Sequence, residues 1–96
     1  MPRYILLSNW TDQGVKNAKD TVKRAQAVAQ AFEKAGAKLV QVYWTLGQYD
    51  LALIAEAPND ETLTALALQA GMAGNIRSTT LRAFDEGEME QILKKI

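Results

Sequence analysis

Aromatic and acidic side chains crowd one short stretch near the middle of the chain, VQVYWTLGQYDLALIA at positions 40–55. Its aromatic groups are Tyr43, Trp44 and Tyr49, and Asp50 is its single carboxylate. A carboxylate beside aromatic walls can anchor a ligand, and if it is desolvated without a partner its pKa rises towards that of a general base. Aromatic rings there can stack on a planar ligand, although in strands they more often serve a core or an interface.

The role of Asp50 depends on what lies beside it. Arg77 is predicted to begin a strand two positions away in the sheet, about 10 Å at the usual strand spacing, and its long side chain can cover much of that gap. In the structural alternative, Asp50 pairs with Arg77 or accepts hydrogen bonds from the turn backbone. In the catalytic alternative, Asp50 is the base and Arg77 stabilises a developing oxyanion.

The composition excludes most other chemistry. The 96 residues include no cysteine and no histidine, so the chain alone cannot build a Ser-His-Asp or Cys-His site and lacks the usual ligands of zinc and haem. We therefore expect no metal site and no cofactor.

Eleven basic and eleven acidic side chains cancel, which argues against nucleic acid or a membrane as partner. The first apolar run is too short for a signal peptide or a membrane span, so a cytoplasmic location is expected.

The residues from 38 to 56 are predicted to form a hairpin, with strands at 38–45 and 49–56 joined at Gly47. Glycine suits such a turn because the favoured hairpin turns need positive φ. A three-residue turn places Trp44 and Asp50 opposite each other on one face. A slip of one residue in the register would separate them.

The remaining elements follow from periodicity and capping residues. A strand is predicted from Arg3 to Trp10, and an apolar stripe then runs from Val15 to Phe32 at helical spacing, with a second helix start at Asp20-Thr21 and an end at Gly36. Another helix follows residues 58–61 and ends at Gly71 and Gly74, and a fourth strand spans 76–84. The spacing of Asp85 and Glu88 predicts a capping box that opens a C-terminal helix. One side of that helix carries Met89, Ile92, Leu93 and Ile96.

The order βαββαβ, followed by one helix, predicts a single α+β domain over residues 1–96 with the ferredoxin-like sandwich fold. Right-handed crossovers then give a sheet of order 4-1-3-2 in which all neighbouring strands are antiparallel. Both main helices cover the same face of this sheet.

The first and third strands, YILL and LALIA, are apolar on both faces. An antiparallel strand with one wet face should alternate apolar and polar residues. We therefore expect the second face to be covered by another copy of the chain, in a homodimer or larger ring with sheets packed face to face.

Three segments carry a resemblance to a known family: YWTLGQYDL, TDQG at positions 11–14, and NIRSTTLRAF at positions 75–84. Together they resemble the GYD domain proteins, small bacterial proteins named for a glycine-tyrosine-aspartate signature, here Gly47, Tyr49 and Asp50. The resemblance covers nearly the whole chain and implies a relative of the ferredoxin-like dimeric α/β barrels. It implies no activity and no catalytic residues. The family pattern leads us to expect proline near position 22, where this chain has Val22.

The predicted topology gathers one end of the sheet into a candidate site, because the end of the first strand, the hairpin turn and the start of the fourth strand meet there. The same end holds Thr45, Gly47 and Asn75. Seven residues are candidate ligand contacts: Asn9, Trp10, Thr11, Trp44, Tyr49, Asp50 and Arg77.

Three functions fit this arrangement. The first is a binding module with a pocket for a small, partly aromatic or apolar molecule at the hairpin end. The second is a cofactor-independent enzyme of oxygenase or isomerase type with Asp50 as its base, an analogy at the level of the fold. The third is a structural or interaction protein whose signature residues build the oligomer.

Overall fold

Four strands and four α-helices follow one another in the predicted order. The structure is a computed structural model that describes all residues from Met1 to Ile96. A short 3₁₀ turn, Ala18–Asp20, separates the first two helices and confirms the second helix start at Asp20-Thr21. The elements are β1 Arg3–Trp10, α1 Asp12–Lys16, α2 Thr21–Lys34, β2 Lys38–Trp44, β3 Leu51–Glu56, α3 Asp60–Met72, β4 Ile76–Ala83 and α4 Glu86–Leu93.

The four strands form one sheet in the order β2-β3-β1-β4. Every neighbouring pair is antiparallel, with Leu6 opposite Leu53 on β3 and opposite Thr80 on β4. This is the predicted order, read from the other edge. The α+β ferredoxin-like fold is therefore confirmed.

The core lies on one face of the sheet, beneath α2 and α3. Alternate residues of β1 and β3, such as Leu6 and Leu53, point to this face and are buried. Phe32 of α2 and Leu63 of α3 pack into the same cluster, and each is at most 2% exposed. The alternate buried residues of the strands pack here against the apolar faces of the helices. Both sets recur at the spacing that their secondary structure predicts, which is why the fold follows from the sequence pattern.

The helix ends are held by the local side chains that the sequence places there. The Asn59 side chain accepts a hydrogen bond from the Thr62 backbone N–H at the start of α3. Asp85 and Glu88 form the predicted capping box at the start of α4. Each cap satisfies a backbone donor that has no partner within its own helix.

The hairpin differs from the prediction by one residue. Backbone N–H of Thr45 donates to the Asp50 carbonyl, so the four residues Leu46 to Tyr49 form the turn and Trp44 lies opposite Leu51. The expected pairing of Trp44 with Asp50 is therefore wrong. The Thr45 hydroxyl also donates to the Tyr49 carbonyl at 2.6 Å, which holds the longer turn together. Because successive side chains alternate between faces, one extra turn residue changes the partner of every side chain near the turn.

The opposite face of the sheet is apolar in its centre. Ile5 and Leu7 of β1 lie there beside Ile54 and Ala52 of β3, and Leu81 of β4 joins them at 44% exposure. We call this surface, together with Tyr43 of β2, the open face. Helix α4 makes no extensive contact with any other helix or strand, and Leu93 on its apolar side is 53% exposed.

The longest helix, α2, has 14 residues. No helix of this chain combines the length and the apolar character needed to cross a bilayer.

Candidate functional site

Asp50 joins the start of β3 to the end of β1. Its backbone N–H donates to the Ser8 carbonyl at 2.9 Å, and its carboxylate Oδ2 accepts the backbone N–H of Trp10 at 2.9 Å. The Asp50 side chain therefore extends the hydrogen bonding between β1 and β3 beyond the last paired residues. The structural alternative predicted that Asp50 accepts hydrogen bonds from the turn backbone. Asp50 does accept a backbone hydrogen bond, but the donor belongs to β1 and not to the turn.

The other structural alternative, an ion pair between Asp50 and Arg77, does not form. The ion pairs of the structure join Arg3 to Glu56 and Arg82 to Glu88. Arg77 lies opposite Asn9 across the β1–β4 pair, on the open face. Arg77 is exposed and Asn9 is half-buried.

Thr11 fastens the end of β1 to the loop before β4. Its backbone N–H donates to the Asn75 carbonyl at 3.1 Å, and its hydroxyl donates to the Gly74 carbonyl at 2.5 Å. The same hydroxyl oxygen accepts the Gly14 N–H at the start of α1. Gly14 approaches this loop so closely that a Cβ atom there would stand 2.0 Å from the Asn75 carbonyl oxygen. The TDQG segment thus docks α1 against the 73–75 loop, and Gln13 adds a bond to the Asn75 side chain at 3.1 Å.

The two tryptophans lie on the helix-covered face, unlike Asn9 and Arg77. Trp10 is half-buried, pairs with Ile76 and packs against the core, and its indole Nε1 is buried with no hydrogen-bond partner. Trp44 is 42% exposed, and its Nε1 donates to the Thr21 hydroxyl at 3.0 Å. The seven candidates therefore share one end of the sheet, but the structure divides them between its two faces. One hydrogen bond to a side chain joins two of them, that from the Trp10 backbone N–H to the Asp50 carboxylate.

A cavity of about 190 Å³ lies between α2 and α3, over the first residues of β3 and β4 on the helix-covered face. Its apolar walls include Val28, Leu53, Ala70 and Ile76. None of the seven candidates lines it, although Asn75 of the same end of the sheet does, as does Thr21, which binds Trp44. The sequence analysis missed it. The available signal was the run of small side chains on the two helices, which leaves space where larger residues would fill the gap between them.

The polar part of this cavity comes from Thr21, Arg24 and Asn75. Arg24 is half-buried. Its guanidinium donates from Nη1 to the Asn17 carbonyl at 2.7 Å and from Nη2 to the Gly14 carbonyl at 3.1 Å. These bonds tie the first turn of α2 back to α1 and fix the position of the charge.

A second polar cluster lies at the opposite end of the sheet. The Tyr4 hydroxyl donates to the Asp60 carboxylate at 2.5 Å, at the first residue of α3. Burial, together with this hydrogen bond, raises the pKa of Tyr4 to about 12. The Arg82 guanidinium lies 5.6 Å from the centre of the Tyr4 ring and 4.5 Å from that of the Phe84 ring. The cluster anchors β1, β4 and α3 to one another, and its donors and acceptors are used within the protein.

No group of three or more aspartate or glutamate side chains lies close enough together to hold a metal ion.

Comparison with known proteins decides the family. The model described as "GYD domain" matches residues 4–93. The chain belongs to the GYD domain family. The resemblance carried by the three sequence segments is thereby confirmed.

Two proteins from Thermus thermophilus are similar to this GYD domain. A protein of that species named "Glutamine synthetase and cystathionine beta-lyase binding protein" is 30% identical over 95 residues, which cover 98% of this chain and 100% of that protein. A solved structure from the same species, the crystal structure of TTHA0845, aligns with a TM-score of 0.56 and 23% identity, covering 88% of this GYD domain and 95% of that chain. The structural match supports the fold alone.

Proposed function

We propose that this GYD domain is a self-associating binding module, in which two copies pair through their open faces. The observation that carries this proposal is the apolar centre of that face. Ile5, Leu7 and Ile54 form a contiguous patch with the exposed Leu81 and Tyr43 at its sides. Contiguous apolar surface of this kind usually marks an interaction site in a soluble protein.

The C-terminal helix supplies a second unpartnered apolar surface. Met89 is 46% exposed and Leu93 53%, although both lie on the side of α4 that an amphipathic helix normally buries. The prediction that Ile96 shares this side is wrong, because α4 ends at Leu93 and Ile96 follows it at 99% exposure. In a face-to-face pair, α4 of one copy can lie against the other copy. This arrangement corresponds to the dimeric α/β barrel type of assembly.

The oligomeric state tests this part of the proposal. The monomer mass is 10.6 kDa, so sedimentation equilibrium at micromolar concentration should show at least twice that mass. Ile54→Lys introduces a charge in the centre of the open face and should give monomers. The matched control is Gln48→Lys, in the exposed turn, which should leave the mass unchanged. A wild-type protein that sediments as a monomer would contradict the proposal.

We propose further that the assembled module binds an enzyme. The support is the Thermus relative, which is named for binding glutamine synthetase and cystathionine beta-lyase and which aligns with this chain over its full length. Balanced charge and half-buried apolar surface suit docking to another protein. A cytoplasmic location, where such enzymes work, is part of this proposal.

Direct binding to purified enzymes tests the choice of partner. The protein should be immobilised and exposed to the glutamine synthetase and the cystathionine beta-lyase of its own source organism, with an unrelated oligomeric enzyme as control. Saturable binding to either of the first two, absent for the control, is expected. Equal binding to all three, or to none, would reject this choice of partner.

The finer predictions at the hairpin end, a small-molecule pocket and its catalytic alternative, belong to this proposal as well. The half-buried aromatic side chain of Tyr49 and the carboxylate of Asp50 remain the candidates there. Native mass spectrometry of freshly purified protein should reveal a retained ligand, and Tyr49→Ala should release it. The carboxylate of Asp50 already accepts the Trp10 backbone N–H, which favours binding or structural support over proton abstraction by this residue.

A further inference from the structure

We propose that the cavity between α2 and α3 binds a small amphipathic monocarboxylate, with Arg24 holding the carboxylate and the apolar walls holding a ring or short alkyl body. The cavity lies on the helix-covered face of the sheet, whereas the proposed self-association uses the open face. The inference therefore stands independently of the proposed function.

The size and walls of the cavity set the apolar part of the ligand. Its volume is about 190 Å³, and an apolar cavity of about 150 Å³ is large enough to hold benzene. Val28, Leu53 and Ile76 line it from α2, β3 and β4. Ala70 and Ala73 of α3 and its C-terminal end complete the wall with side chains too short to fill the space. One aromatic ring, or an alkyl chain of similar volume, fits these walls.

Arg24 sets the polar part. Its two hydrogen bonds go to backbone carbonyls, which are neutral acceptors, and a guanidinium has five N–H donors. Neither ion pair of the structure involves Arg24, so Asp20, one turn earlier along the chain, does not come within ion-pair distance. A half-buried positive charge without a carboxylate is the group that a ligand carboxylate would best satisfy.

The neighbouring polar groups fit the same orientation. Thr21 begins α2, and the N-terminal end of a helix favours negative charge within its first turn. Arg24 lies in that turn, and Asn75 lines the cavity from the loop before β4. The ligand carboxylate would therefore lie at the α2 end that carries Thr21 and Arg24, with its apolar body directed towards Val28.

The test uses 4-fluorobenzoate as probe, followed by ¹⁹F NMR of the ligand and by amide shifts of the ¹⁵N-labelled full-length protein. Binding should shift the amides of Ala25, Val28 and Ala70. Arg24→Met keeps an unbranched side chain and removes the charge, and it should weaken 4-fluorobenzoate binding about tenfold or more, as expected for loss of a charged hydrogen bond. Lys23→Met, on an exposed neighbouring residue, is the matched control and should leave the affinity unchanged.

Two further measurements separate the roles of charge and shape. The neutral analogue 4-fluorobenzyl alcohol should bind more weakly than 4-fluorobenzoate and should not respond to Arg24→Met. Ala70→Leu fills the cavity and should abolish binding of both probes while the oligomer mass stays the same. The proposal is overturned if millimolar 4-fluorobenzoate shifts no amide around the cavity, or if the folded Arg24→Met and wild-type proteins bind it equally.

Discussion

The same strands form both faces of the sheet, but helices cover only one of these faces. On the helix-covered face, Leu53 is 6% exposed beneath α2 and α3. On the open face, the adjacent Ile54 has a side chain just as apolar but stays half-buried. Both faces are built for burial, but this chain supplies the cover for only one of them. The difference assigns stability to the covered face and leaves the open face available for the proposed self-association.

The largest expected effect comes from truncating one side chain on each face and comparing the losses of stability. Leu53→Ala should cost about 2–5 kcal/mol of unfolding free energy, because it opens a cavity in the core. Ile54→Ala should cost far less at concentrations where the protein is monomeric, and should instead weaken self-association. Urea unfolding at low protein concentration, paired with sedimentation, measures both effects. Equal losses of stability for the two variants would remove the distinction between the faces.

The Tyr4–Asp60 bond should make the stability of the covered face depend on alkaline pH. Tyr4 is protonated in both states below the ordinary tyrosine pKa of 10.0, so its contribution is complete there and is lost as the pH rises through the folded pKa of about 12. Two pKa units correspond to about 3 kcal/mol. Urea unfolding at pH 9 and pH 11.5 should reveal most of this loss.

The control for that experiment is Tyr4→Phe, which removes the titrating hydroxyl. It should lower stability at neutral pH by about 1–2 kcal/mol through loss of the bond to Asp60. It should also flatten the decline in stability between pH 10 and pH 12. A variant that keeps the full alkaline decline would show that another group is responsible.

Gly14→Ala tests the close contact between α1 and the 73–75 loop, at the hairpin end of the covered face. The new Cβ would stand 2.0 Å from the Asn75 carbonyl oxygen, so α1 must move away from the 73–75 loop, at a cost of about 1–3 kcal/mol. Gly87→Ala in α4 is the matched control, since its nearest contact would be an ordinary 3.6 Å to the Asp85 carboxylate. Thermal unfolding should place Gly14→Ala well below wild type and Gly87→Ala at or slightly above it.

Asp50 provides the smallest of these effects. Asp50→Ala leaves the backbone N–H of Trp10 without its acceptor and should cost about 1–2 kcal/mol. Asp50→Asn keeps an oxygen acceptor and should cost less than half of that. If the two variants lose the same stability, the negative charge of Asp50 matters more than its hydrogen bond to β1.

The predictions that succeeded rest on local chemistry. The capping box of Asp85 and Glu88 is encoded within four residues, and the apolar run LALIA predicts β3 and its two apolar faces without reference to any other strand. The pairing that failed depends on the strand register, which the composition of a turn leaves open. Trp44 does not lie opposite Asp50, because the turn between the paired residues Thr45 and Asp50 has four residues instead of three.

The candidate site was predicted less well than the fold, for the same reason. Sequence order correctly brings together the end of β1, the start of β3 and the start of β4. It does not say that Asp50 will bind the backbone of Trp10, or that Arg77 will share a face with Asn9. Such choices are made by register and side-chain direction, which the period of a strand leaves open until its neighbours are in place.

The sequence by itself therefore determined the elements, their order and the apolar character of both sheet faces, because periodicity, caps and turn residues act over a few positions. Only the tertiary structure decided that the Arg24 guanidinium, held by the carbonyls of Asn17 and Gly14, lies at an apolar cavity. Small side chains permit such a space, but its existence depends on how far apart the sheet holds the two helices. That distance is set by the packing of Phe32 and Leu63 on the strands, and no local pattern specifies it.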